Sequence, residues 1–275
     1  MIDVRRWSLP LFSVLVCLLS AVVLGAGITG CANSTSGATV QSDTFTDSDE
    51  PEIRKRAATR LNLALLYFTD AKFTVALDEV KQAIAADPNW FKLYDMRGLI
   101  YRSLGENVLA ESSFQKALSL SPGSADAKNN YGMLLCDQGR GAEALKMFAS
   151  ALDTAGYGRR ANTWAAQASC QLRLGLNKDA EASFLKSYEL DAANPVTGYN
   201  LALLLYQRED FVRSQFYVRR LNNSELANAE SLWLGIKVER KLSNGEAMAQ
   251  LAGQLKKRFS QSREASAYDR GAFNE

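Results

Sequence analysis

An all-α solenoid of about six helix-turn-helix units is predicted by three observations. Small residues recur every 34 positions: Gly98 with Gly132, then Ala76, Ala110 and Ala144, then Ala83, Ala117 and Ala151. Larger apolar residues keep the same register, with Val80, Phe114 and Phe148 one helical turn after the first alanine of each unit. Pro88 and Pro122 return at the same interval and separate one unit from the next. A period of this length describes one supersecondary unit that cannot bury its apolar face alone, so neighbouring units must stack. The small residues mark places where two helices approach too closely for a larger side chain, and the aromatics fill the space beside them.

Such a unit resembles the tetratricopeptide repeat (TPR). The first unit runs from about 52 to 88, with Ala64, Tyr67 and Ala76 at helix contacts. The second, 89–122, carries Tyr94, Gly98, Tyr101, Ala110, Phe114, Ala117 and Pro122 at the signature positions, and the third, 123 to about 157, keeps Gly132, Ala144, Phe148 and Ala151. Ala144 and Ala180 are 36 apart, so the loop 154–158 is a two-residue expansion before the fourth unit, which has Trp164, Ala168, Ala180 and Phe184. The fifth opens at Asn194-Pro195 and places Ala202 and Ser214 in the small positions. The sixth, about 223–259, is degenerate and keeps Gly235 and Ala247, as expected of a last unit that must present a polar outer face. The solenoid is therefore expected over 51–260, followed by a polar C-terminal tail, 261–275, with at most local order. No strand is assigned.

Residues 1–30 read as a signal peptide: Arg5 and Arg6 give a charged start, 9–24 is nearly all apolar, and small residues follow. The apolar run is short and interrupted by Ser13 and Ser20, which argues against a permanent span. Ile28-Thr29-Gly30-Cys31 resembles the lipobox of bacterial lipoproteins, whose cysteine becomes the acylated first residue. Acyl chains on Cys31, each CH2 contributing about 0.8 kcal/mol, would hold the chain on a membrane. The following residue is Ala32 rather than the Asp that retains lipoproteins at the inner membrane, so the periplasmic face of the outer membrane is the expected location. From 31 to 50 the chain is rich in Ser, Thr, Gly and Asp and reads as a flexible tether with a reach of about 25 Å.

Composition narrows the function. The chain has 32 basic and 30 acidic residues, with no basic block interleaved with aromatics, so no nucleic-acid partner is expected. Arg54-Lys55-Arg56 reads as the solvated start of a helix. There is no histidine, which excludes Ser-His-Asp and Cys-His nucleophilic sites and histidine-ligated metals. Phosphate-binding glycine loops are missing too. The chain is expected to be a non-enzymatic monomer with no cofactor, no metal and no catalytic residue; a site built from carboxylates alone is the one enzymatic arrangement left open.

Cys17 falls in the signal segment and Cys31 is consumed by acylation, which leaves Cys136 and Cys170. They sit on the first helices of the third and fourth units, and the expanded loop sets them two motif positions apart. Two positions are about 200° of helical rotation, which turns the side chains of two parallel neighbouring helices toward each other. In an oxidising compartment the pair is expected to form a disulfide; the alternative is two small buried residues at a close helix contact.

The first helices of such units line a concave face, where a partner is expected to meet Leu61, Leu65 and Phe68, then Lys92, Asp95, Leu99 and Arg102, with Asn129 and Met133, and Tyr199, Leu203 and Tyr206 further along. Leu61, Leu63, Leu65, Leu66, Tyr67 and Phe68 put apolar residues around most of a helix that no repeat precedes. That pattern reads as a docking patch, or else as core or a surface covered by the tether.

Lipobox, tether and repeats together resemble the type IV pilus biogenesis and stability lipoproteins (PilF/PilW type), the pilotins of the pilus secretin. The resemblance is sharpest in Asn129-Asn130-Tyr131-Gly132-Met133-Leu134-Leu135-Cys136-Asp137-Gln138-Gly139-Arg140, with Cys170 in the next unit, and in Gly198-Tyr199-Asn200-Leu201-Ala202. It covers about 51–262. It implies an outer-membrane lipoprotein that binds secretin subunits and promotes their localisation and multimerisation. A scaffold lipoprotein that recruits peptidoglycan hydrolases or synthases has the same architecture and stands as the alternative.

Overall fold

The computed structural model describes residues 51–274, which are helical with no strand among them. Cys31 and the tether lie outside the described residues. Six helix pairs follow one another: α1 (Glu52–Thr69) with α2 (Phe73–Ala86), α3 (Phe91–Ser103) with α4 (Asn107–Leu120), α5 (Ala125–Asp137) with α6 (Gly141–Leu152), α7 (Arg160–Arg173) with α8 (Asn177–Leu190), α9 (Pro195–Gln207) with α10 (Phe211–Asn222), and α11 (Ala229–Lys241) with α12 (Gly245–Arg258). One further helix, α13 (Arg263–Asp269), follows the sixth pair. First helices touch the next first helix, α1 with α3, α3 with α5, α5 with α7, α9 with α11 and α11 with α13, and second helices make no comparable contact. The first helices therefore line the inner side of the solenoid.

The repeating small residues do what their spacing implies. Ala76, Ala110, Ala144 and Ala180 are fully buried, as are Phe114, Phe148 and Phe184 a turn later. A β-carbon on Gly98 would lie 2.5 Å from Cε1 of Phe114, and one on Gly132 would lie 2.9 Å from Cε1 of Phe148, so each ring stands directly over a glycine of the partner helix. Where a polar residue takes a small position, it is satisfied locally. Ser214 donates to the Ala202 carbonyl at 2.7 Å, and Ser187 donates to the Ala161 carbonyl at 2.9 Å while lying 2.8 Å from the Thr197 hydroxyl.

The turn inside each unit is equally regular. Its reversal residue has positive φ: Ala71 (57°), Gly105 (77°), Gly139 (77°), Gly175 (74°), Glu209 (66°) and Ser243 (56°). These positions repeat the 34-residue spacing, with the one step of 36 at the expanded loop. In each turn the following residue sends its N–H back to a carbonyl near the helix end, as Glu106 does to Tyr101 at 2.9 Å and Asp210 to Leu205 at 2.9 Å, which satisfies carbonyls the ending helix would leave open. Starts of helices are capped by Ser124, Asn194, Asp210, Asn228, Asn244 and Ser262, and Asn228 and Ser231 cap each other reciprocally.

The segment expected as a polar tail folds differently. Residues 263–269 form α13, with Ser262 as its cap, and Ala265 and Ala267 are buried against Leu232, Trp233 and Ile236 of α11. Phe273 stacks on Trp233 with ring centroids 5.3 Å apart, and Tyr268 meets the same indole edge-on. The reason is packing. Without α13 the apolar side of the sixth unit would face water, and Ala265, Ala267, Tyr268 and Phe273 supply its cover despite the polar residues between them.

Gly98→Ala is expected to destabilise the fold by about 1–3 kcal/mol, because the Phe114 ring has nowhere to retreat; an unchanged urea midpoint would remove this contact from the account. Glu209→Gly is expected to raise the thermal midpoint by about 2 °C, since the left-handed backbone there costs a residue with a β-carbon about 1 kcal/mol. A lower midpoint for that variant would show that the turn is not strained.

Candidate functional site

A cavity of about 320 Å³ opens on the inner side between α1, α3 and α5. Leu61, Asn62 and Leu65 of α1 form one wall, Phe91, Lys92, Asp95, Met96 and Leu99 of α3 the floor, and Asp126, Asn130 and Arg159 the other wall. Of the seven residues of the first two units expected to meet a partner, Leu61, Leu65, Lys92, Asp95 and Leu99 are thus brought together. Two are not. Phe68 turns into the core of the first unit and packs on Phe73 with centroids 5.4 Å apart, because the tight turn after α1 folds α2 back over it. Arg102 is held by Asp137 at 2.6 Å, and Asp137 is also bound by Arg173 at 2.8 Å, so a charge ladder ties the second, third and fourth units. Burial raises the Asp137 carboxyl, but hydrogen bonds from Arg102 and Arg173 outweigh it and leave the group below its ordinary value.

Asn129 and Asn130 are both buried, and of the two it is Asn130 that borders the groove. Asn129 donates to Asn130 Oδ1 at 3.2 Å, and Asn130 Nδ2 donates to both carboxylate oxygens of Asp95 at 3.1 Å. This chain of amides fixes the Asp95 carboxylate. Desolvation drives its pKa up to about 6; the Asn130 hydrogen bond opposes the rise, Asp126 adds to it and Arg159 reduces it. Arg159 itself pairs with Asp126 at 3.3 Å. It reaches the groove because the two-residue expansion after α6 carries it there, with Tyr157 anchored 3.3 Å from Asp126 and 3.0 Å from Thr163. The expanded loop was visible in the spacing, but nothing in the spacing said which side of the solenoid it would reach.

Along α1, Leu65 and Leu66 are 51% and 62% exposed, with Leu63 and Ile53 also open to solvent. Leu61, Tyr67 and Phe68 are half-buried and pack on the first unit's core. The apolar surface is therefore narrower than the leucine run suggests.

A second inner cavity, also about 320 Å³, lies at the far end and is lined by Tyr199, Leu203, Trp233, Lys237, Arg263 and Glu264, among others. Tyr199 and Leu203 were expected on this face; Trp233 and Lys237 were hidden by the degeneracy of the sixth unit. Burial lowers the Lys237 pKa, and its ammonium lies 5.6 Å from both the Tyr206 and the Trp233 ring centres. Cys136 and Cys170 meet between α5 and α7 with their Cα atoms 5.9 Å apart, inside the span a disulfide requires. Among the described residues no group of acidic or cysteine side chains is arranged to hold a metal, and no helix is long and apolar enough to cross a membrane.

The tetratricopeptide-repeat family matches residues 54–221. The chain belongs to that family. It is similar to the type IV pilus assembly protein PilF of Pseudomonas aeruginosa, at 27% identity over 237 residues, which span 86% of this chain and 91% of PilF. The solved structure of P. aeruginosa PilF superposes with a TM-score of 0.71 at 24% identity, covering 80% of this chain and all of that one. The crystal structure of PilW, described as a widely conserved type IV pilus biogenesis factor, superposes with a TM-score of 0.68 at 27% identity, covering 77% of this chain and 97% of PilW.

The raised pKa of Asp95 gives a signed expectation. The folded state binds a proton more readily than the unfolded chain, so ionised Asp95 costs stability above about pH 6, and the cost fades as pH falls toward the unfolded value near 4. Asp95→Asn is expected to stabilise the protein by about 1 kcal/mol at pH 7.5, less than the full shift because water reaches the half-buried carboxylate, and to lose that advantage by pH 4. Denaturation curves at the two pH values check this; a destabilised variant at pH 7.5 would mean that the carboxylate is paired.

Proposed function

We propose that this protein is a non-catalytic, lipid-anchored scaffold of type IV pilus biogenesis that binds secretin subunits and promotes their outer-membrane localisation and multimerisation. The observation that carries the reading is the likeness to PilF and PilW along most of the chain, in fold and in sequence. Three features of this chain support the finer parts. Ile28-Thr29-Gly30-Cys31 supplies an acylation site on the periplasmic face of the outer membrane, and 31–50 supplies reach. The groove between α1, α3 and α5, with Leu65 and Leu66 beside it, supplies a surface on the first units. A stiff surface held on the membrane raises the local concentration of the subunits it captures, which is how a protein without chemistry promotes a multimer.

Rigidity serves this role. We take the Cys136 and Cys170 pair to be oxidised in the periplasm, where a disulfide with this Cα separation would contribute about 2–4 kcal/mol and lock the third unit to the fourth. Acting as a monomer, the scaffold leaves the inner face of its first units to partners.

The test is a pull-down with the tagged protein from detergent-solubilised outer membranes, read by mass spectrometry. A secretin is expected in the eluate, and Leu65→Asp is expected to lower its recovery at least about tenfold while Tyr206→Ser leaves it nearly unchanged. Peptidoglycan enzymes without a secretin would replace the reading. Cys31→Ser is expected to keep the helical circular dichroism and to deplete secretin multimers from the outer membrane; their normal abundance there would contradict the anchoring role.

A further inference from the structure

Asp95 differs from the two aspartates nearest to it on the inner face, Asp126 and Asp137. Its neighbours each have a cation: Asp126 has Arg159, and Asp137 has Arg102 and Arg173. Asp95 makes no ion pair among the described residues: the Asn130 amide addresses both of its oxygens, and Arg159, already paired with Asp126, acts on it only through space. Lys92, which lines the same cavity from the same helix, is exposed and lies 6.0 Å from the Trp90 ring centre. From α1 the facing groups are Leu61, Asn62 and Leu65, none of which titrates; from α5 they are Asp126 and Asn130, and from the expanded loop Arg159. A carboxylate held in place, partly removed from water and without a cation in direct contact is costly unless a ligand supplies one.

The walls point to the same ligand. Leu61, Leu65 and Leu99 flank the carboxylate with apolar surface, a setting that suits a long aliphatic stem ending in a positive charge. A second acidic or a purely apolar side chain would leave Asp95 in place without a partner.

We infer that the groove between α1, α3 and α5 contains a subsite for a lysine or arginine side chain of the docked partner, with Asp95 taking the charge and Leu61, Leu65 and Leu99 the stem. The inference rests on the reading of this groove as a docking surface and adds the chemistry of what docks. Asn130 and Asn129 are positioning residues: they hold the carboxylate through the amide chain and need not touch the partner. Because the ligand-free carboxylate titrates near pH 6, the subsite is charged at neutral pH and is neutralised as the medium turns acidic.

The experiment uses three synthetic dodecapeptides, alike except at one central position that carries Lys, Glu or norleucine, with leucines on either side. Their affinity for the wild-type chain and for Asp95→Asn is read by fluorescence anisotropy at pH 7.5 and pH 5. Wild type at pH 7.5 is expected to bind the Lys peptide about tenfold more tightly than the norleucine peptide and to bind the Glu peptide least. Asp95→Asn is expected to erase the preference for Lys without weakening the norleucine peptide, and pH 5 is expected to weaken the preference in the wild type alone. Equal affinities for the Lys and norleucine peptides at pH 7.5, or no measurable binding of the Lys peptide, would overturn the subsite. The periplasmic part of the secretin is assayed alongside. If it binds with an affinity indifferent to Asp95→Asn, the subsite falls and the docking function stands. If it does not bind while the Lys preference holds, the secretin reading falls and the subsite stands.

Discussion

The two helices of a unit reach their packing distance only if one of them offers no more than a methyl group where they cross. Gly98 under Phe114 and Gly132 under Phe148 are the tightest cases, and the fully buried alanines at 76, 110, 144 and 180 extend the same rule along the array. Everything else follows from that spacing. With helices this close, each unit exposes one apolar edge for the next to cover, the first helices come to lie side by side, and their outward positions become a continuous inner face. A surface with this origin is stiff, because moving one of its walls means lifting a phenyl ring off a glycine.

Much of this was legible in the residues. The 34-residue period gave the pairing of helices, the small and aromatic positions gave the core, and the step of 36 located the expanded loop. Cys136 and Cys170 were placed facing each other by the same step. What the period did not carry was anything that depends on individual side chains at the ends. Polar residues masked α13, whose few apolar side chains all fall on the face that covers Trp233. Phe68 was expected in the groove from its motif position, but the turn at Ala71 brings α2 over it. At Ala71, Glu209 and Ser243 the left-handed turn residue is not glycine, so composition alone concealed that all six turns share one backbone conformation. Tertiary packing enforces that conformation on residues that would not choose it.

The groove shows how a repeat acquires individuality. Its floor and one wall come from positions any such unit would offer, yet its electrostatics come from three departures: an Asp95 without an ion pair among the described residues, an asparagine pair at 129–130 that aims it, and an arginine delivered by an irregular loop. Further along, the Arg102–Asp137–Arg173 ladder and the cysteine pair brace the middle of the array. The far end is closed by α13 and by the aromatic cluster of Trp233, Tyr268 and Phe273, so the two ends of the inner face differ in character. Under the proposed function the first three units are where a partner docks, the middle is a brace, and the last unit is a cap.

Amide hydrogen exchange of the protein, measured with and without the periplasmic part of the secretin, tests that division of labour most directly. Slowed exchange in α1, α3 and α5 with no change in α9 and α11 is the expected result. Protection confined to α9, α11 and α13, with α1 and α3 unchanged, would contradict it.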